Sequence, residues 1–288
     1  MTAGVHGSLP PALRDKVLAA ARGARATGRA LPELPEISAE EAFGRAVAAF
    51  SGLLSVLPAG VWRSPVLRDL DVQGLVGHLT GVEDDVQRAL AGNPEVAGAD
   101  HVASTQAAAE RQAGRPPERT RREWLAAAER TNAQLRGADP EGVVAVHGMR
   151  LPLRSLLVVR AFELWTHEND IRRVVGLPAS VPDAAVLRLM TGLAVSLLPH
   201  GVARLADQLS PVDVHLVLTG AGGGTWDVAL GDRRAPAPVA DVGIVADAVG
   251  FCRLVAARIR PDELDTHDTG EPRLVSAILA GAAALALD

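Results

Sequence analysis

Apolar residues recur at helical spacing through most of the first 175 positions, and the pattern changes to strict alternation near position 212. The first clear stripe is Phe43, Val47, Phe50, Leu53 and Leu54, which places one side of a helix against a core. Ser38-Ala-Glu-Glu41 precedes it and reads as a capping box, with Ser38 as N-cap and Glu41 three positions on. That helix runs to about Leu57, and a second covers Asp71 to Ala91, after a loop at Trp62–Leu67. A third spans Ala103–Ala113, is interrupted at Arg115-Pro-Pro117, and resumes as an amphipathic helix to Arg136 through Trp124, Leu125, Ala128 and Leu135. Val143–Leu153 reads as irregular chain or a short hairpin around Gly148, and another helix follows from Arg154 to Val175. Gly176-Leu-Pro178 stops it, glycine at the C-terminus and proline just beyond being the usual terminator. The principal helices of this half read as a four-helix bundle, a fold whose core commonly holds metals on facing side chains.

Beyond Asp183 the sequence predicts a helix over Ala184–Ala206, kinked or broken at Pro199. Val212, Val214, Leu216 and Leu218 then alternate with less apolar neighbours as a half-buried strand. Gly220–Gly224 reads as a hairpin turn returning into a strand at Trp226–Leu230. The glycines lack the Lys-Ser/Thr ending of a phosphate-binding loop. A third strand is expected at Ala240–Val245 and helices at Ala246–Ile259 and Glu271–Leu287, separated by an acidic loop, Pro261–Asp268. Strands followed by helices make this a small α+β unit. At the other end, Pro11–Ala30 reads as a short basic helix broken by the two prolines of Leu31–Ile37. The division expected is therefore an N-terminal extension at 1–37, a helical bundle at 38–180 and an α+β domain at 181–288, mainly helical as a whole.

Composition narrows the function classes. A formal net charge of −5 and an aromatic content of 3% with no tyrosine argue against nucleic acid as a partner, which would need a basic footprint and stacking rings. The start of the chain, Met1–Pro11, has no apolar signal core, and the apolar run Leu274–Leu287 is too short to span a bilayer. With one cysteine, Cys252, an intramolecular disulfide is excluded and a cytoplasmic setting with no membrane partner is expected. Cys252 itself lies in an apolar helical run and reads as packing.

The candidate chemistry centres on Ala161-Phe-Glu-Leu-Trp-Thr-His-Glu-Asn-Asp170. Glu163 and His167 are four residues apart and share a helix face, with Cβ atoms about 5–6 Å apart. Such a pair is commonly a mere surface contact, but His78, in the apolar run Asp71–Gly81, needs a buried polar partner. His78, Glu163 and His167 together would supply the three protein ligands of an open catalytic zinc site. Asp170 and Asp85 follow His167 and His78 at helical distances and could orient the ligand rings through their second nitrogens. His101, His147, His200, His215 and His267 show no ligand spacing.

Trp62 with Asp71-Val-Gln-Gly-Leu-Val-Gly-His78-Leu, and Glu163-Leu-Trp-Thr-His167-Glu-Asn-Asp170-Ile-Arg-Arg173, resemble the mycothiol-dependent maleylpyruvate isomerase family of actinobacteria. Val214–Leu218, Trp226 and the final Gly281–Ala284 helix add to the likeness, which covers about residues 38–288. The resemblance implies a DinB-like metal-binding four-helix bundle followed by a smaller sterol-carrier-like α/β domain. It implies a divalent metal, zinc first, on His78, Glu163 and His167, with mycothiol as the thiol cofactor. It further implies arginines that hold substrate carboxylates, for which Arg258 is the preferred position and Arg253 the second. The expected partners are a small-molecule substrate and a low-molecular-weight thiol, in a monomer or homodimer. A metal-activated thiolate would add to an electrophile for cis–trans isomerisation. Two other readings stay open: a mycothiol S-transferase, and a non-enzymatic metal- or ligand-binding protein.

Overall fold

Ser38 opens the first helix as its sequence predicts, its side chain accepting a hydrogen bond from the Glu41 amide at 3.0 Å. In the computed structural model, residues 34–205, 211–231 and 239–287 are described, and the chain divides into units at 1–35 and 36–288. The basic helix expected at Pro11–Ala30 lies outside the described residues. Within the larger unit, α1 (Ala39–Val56), α2 (Val72–Leu90), α3 (His101–Gln112), α4 (Pro117–Leu135) and α5 (Leu153–Val174) form the helical N-terminal part. Asp71 caps α2 by accepting from the Gly74 amide, and Asp100 caps α3 from the Val102 and Ala103 amides. Two short hairpins join these helices: β1 (Pro65–Leu67) with β2 (Leu70–Asp71), and β3 (Val143–Val146) with β4 (Met149–Pro152).

The C-terminal part is a mixed four-stranded sheet carried by helices, as the change of period at position 212 indicates. α6 (Ala184–Leu205) precedes β5 (Val212–Thr219), β6 (Gly224–Leu230), β7 (Val242–Asp247), α7 (Ala248–Val255), β8 (Thr266–Thr269) and α8 (Pro272–Ala283). The strand order is β6-β5-β7-β8, with β5 and β7 parallel and the outer pairs antiparallel. The inward residues Val212, Val214, Leu216 and Leu218 are buried as the alternation predicts. Two features differ from the sequence reading. α6 continues through Pro199 without a break, held by Leu198 and Val202, buried on either side of it. β8 lies in the stretch read as an acidic loop; as an exposed edge strand it needs only one neighbour and no apolar alternation. α6 is long and apolar enough to cross a membrane, yet Leu187, Met190, Ala194 and Leu198 are buried in the core beneath the sheet.

α5 belongs to two cores at once. Leu157, Leu164 and Ile171 pack with α1, α2 and α4, whereas Val158, Phe162 and Trp165 join the core of α6 and the sheet. A helix enclosed on all sides is expected to be apolar all round, so the charged residues that α5 also buries need a separate explanation.

Glycines set how closely the helices approach. A Cβ on Gly77 would sit 2.9 Å from the Ala109 Cα, and one on Gly81 3.0 Å from the Thr105 Cβ, so α3 lies directly against α2. Gly201 and Gly281 do the same for α6 and α8, where a Cβ on Gly281 would lie 2.7 Å from the Val202 Cα. Gly201→Ala is therefore expected to cost about 1–3 kcal/mol in urea unfolding. Gly44→Ala on α1, with nothing within 4 Å, should instead gain about 0.5–1 kcal/mol. Equal losses at the two positions would refute the close-packing assignment.

Candidate metal centre

Arg160, Glu163, His167 and Asp170 follow one another at steps of three, four and three along α5, which places them on one helix face. All four are buried. Arg160, 1% exposed, donates through Nη2 to Glu83 Oε1 on α2 at 2.7 Å and through Nη1 to Glu163 Oε2. Glu83 is completed by Thr131, whose hydroxyl donates to Oε2 at 2.7 Å. Two buried carboxylates thus face one guanidinium. An isolated buried charge is costly unless a counter-charge compensates it.

Imidazoles converge on the remaining oxygen, Glu163 Oε1, which receives no hydrogen bond. His78 Nε2 lies 3.6 Å from it. The hydrogen-bond network assigns the His78 tautomer. Thr105 donates its own proton to the His101 and Val102 carbonyls, so at 2.7 Å it accepts from His78 Nδ1–H. The Nε2 of His78 then carries a lone pair. His167 Nδ1 is 3.1 Å from Asp170 Oδ2, to which it donates, and its Nε2 likewise carries a lone pair. The donor atoms of His78, Glu163 and His167 all lie within 4.8 Å of one another. Ligands of a tetrahedral ion at 2.0–2.2 Å stand about 3.4 Å apart. Two imidazoles and one carboxylate in this arrangement are a donor set that could hold a divalent cation.

The electrostatics agree. Burial, then the neighbouring His167, His101 and Arg160, pushes the His78 pKa down to about 2, so the ring is in the neutral form that a ligand requires. Burial alone would raise Asp170, but its hydrogen bonds from His167 and Arg258 outweigh that and bring it down to about 2. Arg258 reaches Asp170 through Nε at 2.9 Å and Nη2 at 2.7 Å, a two-point grip from the C-terminal part.

Residues 43–172 match the family model of the mycothiol maleylpyruvate isomerase N-terminal domain. Over this part the chain is similar to that domain family. Two crystal structures resemble the whole fold: mycothiol-dependent maleylpyruvate isomerase and its histidine-to-alanine mutant. The mutant shows 15% identity and a TM-score of 0.51, the unsubstituted protein 16% and 0.50. Each alignment covers 81% of this chain and 92% of the other. No curated protein matches the chain.

Within this part of the chain the structure brings His78, Glu163 and His167 together and sets Asp170 behind His167. Asp85 lies elsewhere: its Oδ2 accepts from His147 Nε2 at 2.8 Å and its Oδ1 from Arg88, not from His78. Burial raises the Asp85 carboxyl, but His147, Ser104 and Arg88 together lower it to about 2. The orienting partner of His78 is Thr105 instead. Arg258, read from the sequence as a substrate-holding arginine, has its guanidinium engaged with Asp170. Arg258 and Arg253 both line a cavity of about 680 Å³ with Trp165, Asp170 and Arg173. A second cavity, of about 480 Å³, reaches Glu163 and His101 and is bordered by Arg68, His147 and Arg204.

Sequence reasoning missed Glu83, Arg160, Thr105, His101 and His147. His101 Nε2 is 3.4 Å from Glu163 Oε1, and His101 Nδ1 is 3.1 Å from His147 Nδ1. One signal was present. His147-Gly148 is the two-residue turn of the β3–β4 hairpin, with φ of 50° and 75°, a type I′ position that Asn or Asp ordinarily fills. Histidine is among the non-glycine residue types that adopt this left-handed backbone more often than most.

Two outcomes follow for the metal-free protein. Arg160→Met should lose about 3–5 kcal/mol, because removing one partner strands two buried carboxylates; a urea midpoint within error of the parent would refute the buried link. The unfolded chain binds a proton at His78 that the folded protein refuses. Stability should therefore fall as pH falls below about 6.5, by up to about 1.4 kcal/mol per unit for this group. Asp85 and Asp170 add losses in the same direction below about pH 4. His78→Gln should flatten the profile between about pH 4 and 6.5, and an unchanged slope would contradict the assignment.

Proposed function

We propose that this protein is a metal- and thiol-dependent enzyme that adds an external thiolate to an electrophilic, carboxylate-bearing small molecule, with cis–trans isomerisation as the leading reaction. The observation that carries the reading is the convergence of His78 Nε2, the His167 ring and the unpaired Glu163 Oε1 in a buried site that a cavity reaches. A divalent ion held there, zinc first, would lower the pKa of an incoming thiol so that it reacts as thiolate. Mycothiol is the thiol to expect, since the structural relatives are mycothiol-dependent maleylpyruvate isomerases.

The chain's own residues divide the remaining work. Arg160 holds Glu163 by one oxygen and leaves the other for the site. Asp170, gripped by Arg258, fixes the tautomer and orientation of His167, so Arg258 acts through Asp170 as a positioning residue. Arg68, whose charge is felt at His78, borders the cavity with Arg204 and draws in anions. Cys252 cannot serve as the thiol: it is buried, and burial with the Asp247 charge raises its pKa far above neutrality. In the isomerisation, the thiolate would add to one carbon of a conjugated alkene as the π electrons move onto the conjugated carbonyl to give an enolate; the resulting single bond rotates, and the enolate electrons return to reform the double bond and expel the thiolate. Protonation of the enolate at carbon by water, in place of elimination, makes the same site an S-transferase, and consumption of thiol separates the two.

The test is metal analysis together with turnover. The parent should bind one equivalent of zinc, and His167→Ala should lose tight binding and activity together, two donors being too few to hold the open geometry. Cys252→Ser should keep activity within about twofold, as a core thiol outside the site would. With mycothiol and maleylpyruvate, product should form without net loss of thiol. A protein that binds no metal, or a dead Cys252→Ser that is folded and metal-loaded, would overturn the proposal.

A further inference from the structure

The cavity of about 480 Å³ that reaches Glu163 has an apolar wall and a charged border. Val82, Leu156 and Val159 of the helical part line it together with Leu285 and Leu287 of the C-terminal part. Leu287 is pinned there by its amide, which donates to the Val255 carbonyl at 3.1 Å. Of the two carboxylates on the lining, Glu163 is held by Arg160, and Asp100 is occupied as the cap of α3. Arg68 and Arg204, both exposed, stand at the border.

The two arginines are placed by different means. Arg68 is the first residue of the two-residue turn between β1 and β2, with φ of 52°. Glycine is usual at a first turn position of positive φ. A long side chain kept there against a backbone cost points to a use for that side chain. Its charge is felt at His78, so the turn carries the guanidinium toward the metal site. Arg204 lies in the last turn of α6 and donates through Nη1 to the Ala284 carbonyl at 3.2 Å, at the C-terminus of α8. One bond of that kind orients the side chain and leaves most of its five N–H donors for a ligand.

We propose that Arg68 and Arg204 select the substrate: they hold a carboxylate at the open end of this cavity while the electrophilic carbon reaches the metal end at Glu163. The inference rests on the preceding reading for the chemistry, and it moves the substrate grip away from Arg258, whose guanidinium is engaged by Asp170. A guanidinium meets a carboxylate through paired N–H donors, with a geometric fit that an ammonium lacks. The molecule that fits carries its carboxylate at one end and an apolar stretch that lies along Val82 and Leu156. Because Arg68 belongs to the helical part and Arg204 to the C-terminal part, the bound anion links the two across the cavity.

Maleate tests this without turnover, by isothermal titration calorimetry on zinc-free and zinc-loaded protein, with circular dichroism to verify folding and zinc analysis of every variant. The parent should bind maleate, and more weakly as salt is raised. Arg68→Gln and Arg204→Gln should each weaken it about 10- to 100-fold, the loss of one charge-assisted contact. That loss should appear in zinc-free and zinc-loaded protein alike, at the parent's zinc content. Arg68→Lys should recover part of the affinity, a point charge replacing the planar fork. In turnover with mycothiol and maleylpyruvate, Arg68→Gln and Arg204→Gln should raise KM about tenfold and keep kcat within about threefold, as a grip equal in ground and transition states does. Parental maleate affinity in both variants, or no maleate binding by the parent, would overturn the assignment. So would a loss confined to Arg253→Gln, at the other cavity. A parent that binds no zinc yet holds maleate through Arg68 and Arg204 would overturn the metal reading and leave the grip standing.

Discussion

The Arg160 guanidinium, clamped between Glu83 and Glu163, is the constraint on which the rest of the site depends. It joins α2 to α5 across 77 residues of sequence, with 1% of its side chain exposed. Such a link contributes little net stability, because desolvation offsets the Coulombic gain. Its effect is geometric. With Arg160 on Glu163 Oε2 and Thr131 completing Glu83, the unpaired Oε1 can point only toward the imidazoles.

The second dependence is on α5 as a helix shared by two cores. Its apolar residues pack to the bundle on one side and to α6 and the sheet on the other, and the stripe from Arg160 to Asp170 runs between. The site is therefore braced from both parts of the unit. Thr105 holds His78 from α3, an approach that Gly81 permits by lacking a side chain. Arg258 holds Asp170, and through it His167, from just beyond α7. A shift of the sheet against the bundle would be felt at His167, and a shift of α3 at His78.

The histidines also differ in how firmly they are held. His78 and His167 are buried, with a hydroxyl or carboxylate fixing each ring. His101 reaches the same carboxylate from the cavity side, with His147 and Asp85 behind it. The arginines Arg68 and Arg204 place positive charge at the border of that cavity.

Local spacing determined what local physics controls. The Ser38 cap, the stripe of α1, the Gly176 stop and the alternation of β5 are legible because each depends on residues within a turn or two. Glu163 and His167 share a face for the same reason, and His78 was legible as a polar ring in an apolar run. The tertiary structure alone decided the rest. Pro199 stays helical because packing on both sides outweighs its lost hydrogen bond, and β8 becomes a strand because β7 offers it an edge. Arg160 and His101 carry no short-range signature of a site, His147 is marked only by its place in a tight turn, and their partners lie 77, 46 and 62 residues away. Arg258 has the charge of a substrate grip, but 88 residues separate it from Asp170, and only the packing of the sheet against α5 brings the two together. Helix and strand periodicity record which side of an element is buried; they hold no record of which distant charge waits on the other side.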